Sequence, residues 1–191
     1  MIDRRYFLAA GTALGILGSR AAAQDEGAGP DLPEKYLPRM VNIPATMNPG
    51  EIHVDPNRFA LYWTLPEGKA MRYSVGIGRK GLYETGVFRM GAKKEWPSWT
   101  PTPDMIEREP EKYKKWEDGM EGGPDNPLGA RALYLFDGPR DTYLRIHGTN
   151  APRTIGTAVS NGCARLVNDH IIDLYPKVPL ETKVFLYPRF T

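Results

Sequence analysis

Cysteine and histidine are scarce in this chain. One Cys and three His occur among 191 residues. A single Cys excludes an intrachain disulfide scaffold and any zinc site with several Cys ligands. Three His are too few for most metal constellations, but they suffice for a catalytic pair. The sequence therefore directs attention to the one thiol and its surroundings.

The chain also lacks an excess of charge of either sign, with 25 Lys and Arg against 23 Asp and Glu. Residues 1–23 hold three of the basic residues and one of the acidic ones, so 22 of each remain beyond them. This balance predicts no strong attraction to nucleic acid or anionic lipid. The 20 Gly and 18 Pro favour strands, turns and loops over a helical bundle. The length indicates one domain with appendages.

No apolar run is long enough to span a bilayer, which requires about 20 residues. Arg4 and Arg5 precede a weakly apolar run over residues 6–17, and residues 21–23 are three alanines. This pattern predicts an export signal over residues 1–23, cleaved before Gln24. The arginine pair with its neighbours resembles a twin-arginine signal, which predicts a periplasmic protein. An ordinary secretory signal, an uncleaved anchor and a buried helix are the alternatives.

Residues 24–48 are rich in Pro, Gly and Asp and are typical of a linker or an extended lead-in. From residue 50, apolar residues alternate with period two over residues 52–54, 59–63 and 71–77, which predicts a β-meander. Residues 86–90, 132–136, 142–147 and 182–187 add further strands. We therefore predict a mainly β domain over residues 49–191.

A short helix is predicted after the cysteine, with Asn168 as its N-cap. Apolar residues follow at helical spacing, and Pro176 and Pro179 limit its length. His170 falls in the first turn and is expected to be exposed. His53, opposite the apolar face of its strand, is expected to face solvent.

Residues 93–130 interrupt the strand pattern with six Pro, four Gly and three of the four Trp. A helical turn is predicted near residues 104–116. So long a connection is typical of a functional lid or a binding loop. The alternative is an excursion that only covers a sheet edge.

The residues that suit chemistry best are His147 and Cys163. His147 ends a predicted strand in which Tyr143 and Arg145 share its face, while Leu144 points to the core. A thiol nucleophile needs a base, because the pKa of a free Cys is about 8.5. The alternative for the Cys is an inert buried thiol.

Small residues flank the thiol, and Gly162 permits a tight turn just before it. We expect the backbone N–H groups of Asn161, Gly162 and Cys163 to converge on an oxyanion. Other cysteine enzymes fit less well: position 169, where a phosphatase loop needs Arg, is Asp, and a papain-like enzyme has its Cys before its His. Neither a metal site nor a cofactor is predicted.

The segment His147-Gly148-Thr149, the fifteen residues between His147 and Cys163, and the pattern Ser160-x-Gly-Cys-x-Arg165 together resemble the signature of the L,D-transpeptidase catalytic domain of the YkuD type. Residues 126–135 resemble the family's strand before the His, and residues 99–103 its lid segment in periplasmic members. The resemblance covers roughly residues 50–187. One departure is Asn161, where many members have His.

The resemblance implies a β-sandwich with the Cys–His pair in a groove under a lid. It also implies chemistry on peptidoglycan stem peptides. Cys163 would attack the carbonyl of the L-centre of diaminopimelate, release D-Ala and form a thioester. The acyl group would then pass to a diaminopimelate amine, a protein Lys or a D-amino acid. A hydrolase on the same site and a non-catalytic wall-binding module are the alternatives.

The family also implies a role for each site residue. His147 would be the base and then the acid, oriented by the backbone carbonyl of Gly148. Arg165 would hold a stem-peptide carboxylate, and its alternative is a structural ion pair at the helix start. Substrate contacts are further expected from Ser160, Tyr143 and Trp99. No metal or cofactor is implied, and carbapenems are expected covalent inhibitors through the thiol.

Overall fold

The computed structural model of the chain describes residues 32–190. The predicted export signal lies outside these residues. The described part forms eleven strands and three short α-helices. The strands are β1 (Arg39–Asn42), β2 (Ile52–Asp55), β3 (Ala60–Leu65), β4 (Lys69–Ser74), β5 (Ile77–Gly78), β6 (Gly86–Glu95), β7 (Arg131–Asp137), β8 (Arg140–His147), β9 (Ala158–Ser160), β10 (Ala164–Arg165) and β11 (Lys183–Leu186). The α-helices are α1 (Pro103–Arg108), α2 (Pro110–Tyr113) and α3 (Asn168–Leu174).

Nine strands form one mixed sheet in the order β1-β4-β3-β2-β11-β6-β7-β8-β10, and β5 pairs with β9 separately. Strands β2, β3 and β4 are the predicted antiparallel meander. The last strand, β11, inserts between β2 and β6 and runs parallel to β2. The prediction of a mainly β fold with a short helix after the cysteine is confirmed.

The core follows the period-two alternation of the sequence. Ile52, Val54 and Leu61 are fully buried on one face of the sheet, and Ile171 and Leu174 of α3 belong to the same apolar cluster. Burying each such side chain contributes about 1.5–3 kcal/mol. The core thereby fixes α3 against the sheet, close to the strand that ends at His147.

Strand β1 lies at residues 39–42, within the stretch interpreted from sequence as a linker or an extended lead-in, and pairs with β4. The long connection between β6 and β7, residues 96–130, carries α1 and α2; we call it the lid segment. Thr102 caps α1, because its Oγ1 accepts a hydrogen bond from the Met105 N–H at 3.3 Å. The predicted helical turn in this segment is confirmed.

Two histidine predictions are wrong. His53 is only 4% exposed, because its ring stacks parallel to Phe185 at 4.5 Å and its Nδ1 lies 2.8 Å from the Tyr187 hydroxyl. His170 is 6% exposed and packs against Tyr73. Alternation along one strand does not show whether the second face of the sheet is covered, and around His53 aromatic residues cover it.

No helix within residues 32–190 combines the length and the apolar character that crossing a membrane requires. The same residues hold no group of three or more His, Cys, Asp or Glu side chains arranged to bind a metal ion.

Candidate active site

Strand pairing at one edge of the main sheet brings the predicted catalytic residues together. Strand β10 runs parallel to β8, with Ala164 opposite Ile146 and Arg165 opposite His147. Cys163 immediately precedes β10, and His147 is the last residue of β8. Residues 16 to 18 positions apart in sequence thus become neighbours across two strands.

His147 is held as a neutral imidazole in a defined orientation. Its side chain is buried, and its Nδ1 lies 2.6 Å from the carbonyl oxygen of Gly148. This contact requires Nδ1 to donate, so that the lone pair remains on Nε2. Burial, helped by the positive charge of Arg165, lowers the pKa of His147 to about 3, although the backbone carbonyls of Gly148 and Leu128 oppose the shift. The ring is therefore uncharged at neutral pH and can accept a proton.

Asn168 anchors the backbone that follows His147. Its Oδ1 accepts hydrogen bonds from the N–H of Ala130 at 3.0 Å and of Thr149 at 3.2 Å. A Cβ on Gly148 would overlap this oxygen and lie 3.0 Å from the Ala130 nitrogen. Only glycine therefore fits at the position whose carbonyl orients the imidazole.

Sequence reasoning missed this role for Asn168, which it interpreted as the N-cap of the helix. The N-cap is Val167, and Asn168 is the first residue of α3. An Asn at a helix start was a correct signal of a side-chain-to-backbone contact, but its partners lie 19 and 38 positions away. A local capping rule does not reach them.

The thiol of Cys163 has no hydrogen bond to the imidazole of His147 within residues 32–190. Its Sγ lies 3.8 Å from the carbonyl oxygen of Tyr143. Burial raises the pKa of the Cys163 thiol, while the backbone N–H of Arg145 and the charges of Arg145 and Arg165 act in the opposite direction. In the resting site the thiol of Cys163 and the imidazole of His147 are therefore both neutral. Proton transfer to His147 requires the thiol to leave the Tyr143 carbonyl.

The turn that carries Cys163 is shaped by Ser160 and Gly162. The Ser160 hydroxyl donates to the Cys163 carbonyl at 2.7 Å and accepts from the Gly162 N–H at 3.3 Å. Gly162 has φ +131°, a conformation that favours glycine. Three N–H groups are expected to bind an oxyanion, and that of Gly162 already donates a hydrogen bond to the Ser160 hydroxyl. The N–H groups of Asn161 and Cys163 are not used within residues 32–190.

Arg165 brings an unneutralised positive charge to the site. Its backbone exchanges two hydrogen bonds of 2.8 Å with Gly76, and a Cβ on Gly76 would lie 3.1 Å from the guanidinium Nη2. The Nε and Nη2 atoms are buried and have no hydrogen-bond partner within residues 32–190. Over the same residues Arg165 forms no ion pair. A buried guanidinium without a carboxylate partner is suited to bind one from a ligand.

Tyr143 and Trp99 occupy different surroundings. The Tyr143 side chain is 71% exposed at the site, and its backbone has φ +61°. Trp99 belongs to the lid segment, where its ring meets Tyr113 edge-on with centroids 6.2 Å apart. The structure therefore places Tyr143 beside the thiol, whereas Trp99 supports the lid from within.

Arg145 is a neighbour that the sequence placed only on the wall of the site. Its guanidinium forms two hydrogen bonds to Asp141, of 2.6 and 2.8 Å, and lies 4.1 Å from the centre of the Tyr134 ring. These contacts hold β8 where it flanks Cys163. The contact with Tyr134 depends on the β7–β8 register, which sets Tyr134 opposite Arg145.

A cavity of about 660 Å³ lies at the other end of the sheet, away from the thiol. Residues of β1 to β4 line it, including Arg39, His53, Tyr62 and Arg72. None of the predicted site residues contributes to it. The candidate site is instead an edge of the sheet beneath the lid segment.

Known proteins share both the sequence pattern and the fold. The sequence model of the YkuD family, described as the L,D-transpeptidase catalytic domain, matches residues 49–186. The curated protein "Probable L,D-transpeptidase ErfK/SrfK" of Escherichia coli K12 is 34% identical over 151 residues, which cover 78% of this chain and 47% of that protein. The chain therefore spans about half the length of this relative.

Several solved structures are similar to the chain. One, from Brucella melitensis and described as a probable carnitine operon oxidoreductase, has a TM-score of 0.57 and 46% identity, covering 79% of this chain and 93% of that one. The Enterococcus faecium L,D-transpeptidase has a TM-score of 0.53 at 15% identity, covering 74% and 50%. The second likeness concerns the fold alone. With the family match over most of the chain, these findings show that the protein belongs to the YkuD family of L,D-transpeptidase catalytic domains.

Proposed function

We propose that the protein is a peptidoglycan L,D-transpeptidase with Cys163 as its nucleophile and His147 as its base. The observation that supports this most directly is the neutral imidazole of His147. It is oriented by the Gly148 carbonyl, and strand pairing sets His147 opposite Arg165, two positions after the only thiol of the chain. A base with this protonation state and this fixed tautomer can activate a thiol.

In the proposed first step, the Cys163 proton passes to Nε2 of His147 and the sulfur attacks the carbonyl of the L-centre of diaminopimelate in a tetrapeptide stem. The developing oxyanion is held by the free N–H groups of Asn161 and Cys163. The bond to D-Ala then breaks, and the imidazolium returns its proton to the leaving amine. A thioester on Cys163 and free D-Ala result.

In the second step, an amine attacks the thioester and gives up a proton to His147. The C–S bond breaks as the amine takes the acyl group, and the imidazolium of His147 returns the proton to the Cys163 thiolate. Candidate acceptors are a diaminopimelate side chain, a protein Lys and a D-amino acid. Arg165 binds a stem-peptide carboxylate, Ser160 shapes the loop, Tyr143 borders the groove, and Trp99 supports the lid segment that covers it. Export to the periplasm by the predicted signal over residues 1–23 brings the enzyme to this substrate.

The test uses purified protein, a disaccharide-tetrapeptide donor and one acceptor at a time, with products separated by mass. We expect free D-Ala together with a 3-3 cross-linked or D-amino-acid-exchanged product. The variant Cys163→Ala should give none. His147→Gln, which retains a hydrogen-bonding side chain without a base, should also lose turnover. Release of tripeptide alone, with every acceptor present, would instead identify a hydrolase, and carbapenem labelling of the thiol would report a reactive nucleophile in either case.

A further inference from the structure

The side chain of Asn161 joins the lid segment to the loop that carries the nucleophile. Its Nδ2 donates to the Tyr113 hydroxyl at 2.8 Å. Its Oδ1 accepts from Arg108 Nη2 at 3.0 Å and from Arg79 Nη2 at 3.4 Å. Asn161 lies two positions before Cys163. One amide therefore holds two residues of the lid at the entrance to the site.

Both lid residues, Arg108 and Tyr113, lie at the ends of helices in the lid segment. Arg108 ends α1, and Tyr113 ends α2. Tyr113 is only 6% exposed and meets Trp99 edge-on. Both residues are thus positioned by the lid's own helices before they reach Asn161.

The two arginines at Asn161 differ in their charge balance. Arg79 forms an ion pair with Glu109, whose pKa is lowered by hydrogen bonds from Arg79 and Lys112. Glu109 is therefore ionised and neutralises Arg79. Arg108 has no ion-pair partner within residues 32–190, and its one side-chain hydrogen bond there is to Asn161. A positive charge thus remains uncompensated above the catalytic loop.

We propose that Arg108 binds a carboxylate of the peptide substrate, and that Asn161 is the positioning residue that holds Arg108 beside the loop that carries Cys163. A guanidinium has five N–H donors, so one bond to Asn161 leaves a fork free for a carboxylate. The identification of that carboxylate as one of a stem peptide rests on the proposed function. The effect of the positive charge of Arg108 on the thiol does not depend on the proposed function.

The chemistry of the amide explains why Asn suits this position. Asn161 presents an acceptor to two guanidinium groups and a donor to Tyr113 at the same time. A neutral imidazole offers one acceptor and one donor, and a protonated imidazole offers no acceptor and repels both arginines. Asn at position 161, where many members of the resembled family have His, is therefore suited to a lid segment that contacts the catalytic loop through an arginine.

The test exploits the single thiol of the chain. Cys163 is alkylated in the full-length protein with iodoacetate, which carries a carboxylate, and with iodoacetamide, its neutral counterpart. The rate with iodoacetate divided by the rate with iodoacetamide reports the electrostatic potential at the thiol. Its measurement requires no catalytic turnover. Loss of one positive charge near the catalytic loop is expected to lower this ratio by about threefold at low salt.

We expect the ratio to fall in Arg108→Ala and in Asn161→Ala, and to recover in Arg108→Lys, which keeps the charge. Lys115→Ala is the matched control, because Lys115 is a lid cation that lies over the Trp116 ring at 5.3 Å and makes no side-chain hydrogen bond to the catalytic loop. With a tetrapeptide donor, Arg108→Ala should raise KM for the free-acid form of diaminopimelate and leave KM for its amidated form unchanged.

Three results would overturn the proposal. An unchanged ratio in Arg108→Ala would show that the guanidinium does not act on the thiol's surroundings. A fall in Arg108→Ala without one in Asn161→Ala would refute the positioning role. An equal acceleration of both reagents would show that the lid is only a cover. If the protein forms no transpeptidation product, the alkylation ratio can still change as expected. The two measurements therefore test the proposed function and the role of Arg108 independently.

Discussion

Replacing Asn168 by Ala tests how the catalytic His is positioned. The substitution removes the oxygen that accepts from the N–H groups of Ala130 and Thr149. Both residues are buried, at 0% and 3% exposure, so water cannot readily replace the lost partner. A net hydrogen bond contributes about 0.5–1.5 kcal/mol, and an unpaired buried donor costs about 1–3 kcal/mol. We therefore expect the free energy of unfolding to fall by about 2–4 kcal/mol.

The same change should slow the reaction of Cys163, because the backbone that presents the Gly148 carbonyl to His147 loses its anchor. Urea denaturation measures the stability, and the rate of carbapenem acylation, followed by intact mass, measures the reactivity. Asn168→Asp keeps the accepting oxygens at a helix start and should remain within about 1 kcal/mol of the wild type. Asp169→Ala, exposed in the same turn, is the control. A loss below about 0.5 kcal/mol in Asn168→Ala would refute the anchoring argument.

Three further predictions follow from buried groups. The pKa of His147 and of His170 lies below the ordinary value, so acid favours the unfolded chain. Stability should be full above about pH 6.5 and should fall as the pH decreases, by up to about 1.4 kcal/mol per pH unit for each His, and for His147 this fall should continue to about pH 3. Urea denaturation at a series of pH values would show it. Gly148→Ala should abolish carbapenem labelling while the circular dichroism of the sheet persists. Tyr73→Phe, which loses a 2.6 Å hydrogen bond to Asp173, should lower the unfolding free energy by about 1–2 kcal/mol in urea.

Strands with regular alternation could be predicted from the sequence, because one apolar face must be buried. Ile52, Val54 and Leu61 show this directly. His53 could not be placed by the same reasoning, because both faces of β2 are covered and the covering residues come from β11, which is about 130 positions away. Alternation identifies the apolar face, but it does not show that the other face meets solvent.

In the candidate site, too, some features could be predicted from the sequence and others depend on the fold. The Cys, the His and the Arg could be singled out by residue type, spacing and family resemblance. Strand β10, however, has only two residues, too few for any periodicity to predict its pairing with β8. The contacts of Asn168 with Ala130 and of Asn161 with Arg108 also depend on the fold, since each joins segments 38 to 53 positions apart.

Acylation of Cys163 by a stem peptide is the step on which the proposed function depends. Intact-mass measurement of the protein after brief exposure to a disaccharide-tetrapeptide, without any acceptor, tests it most directly. We expect an adduct equal to the donor minus D-Ala on the wild-type protein and no adduct on Cys163→Ala. A folded wild-type protein that forms no adduct and yet releases D-Ala, or an adduct that persists in Cys163→Ala, would contradict it.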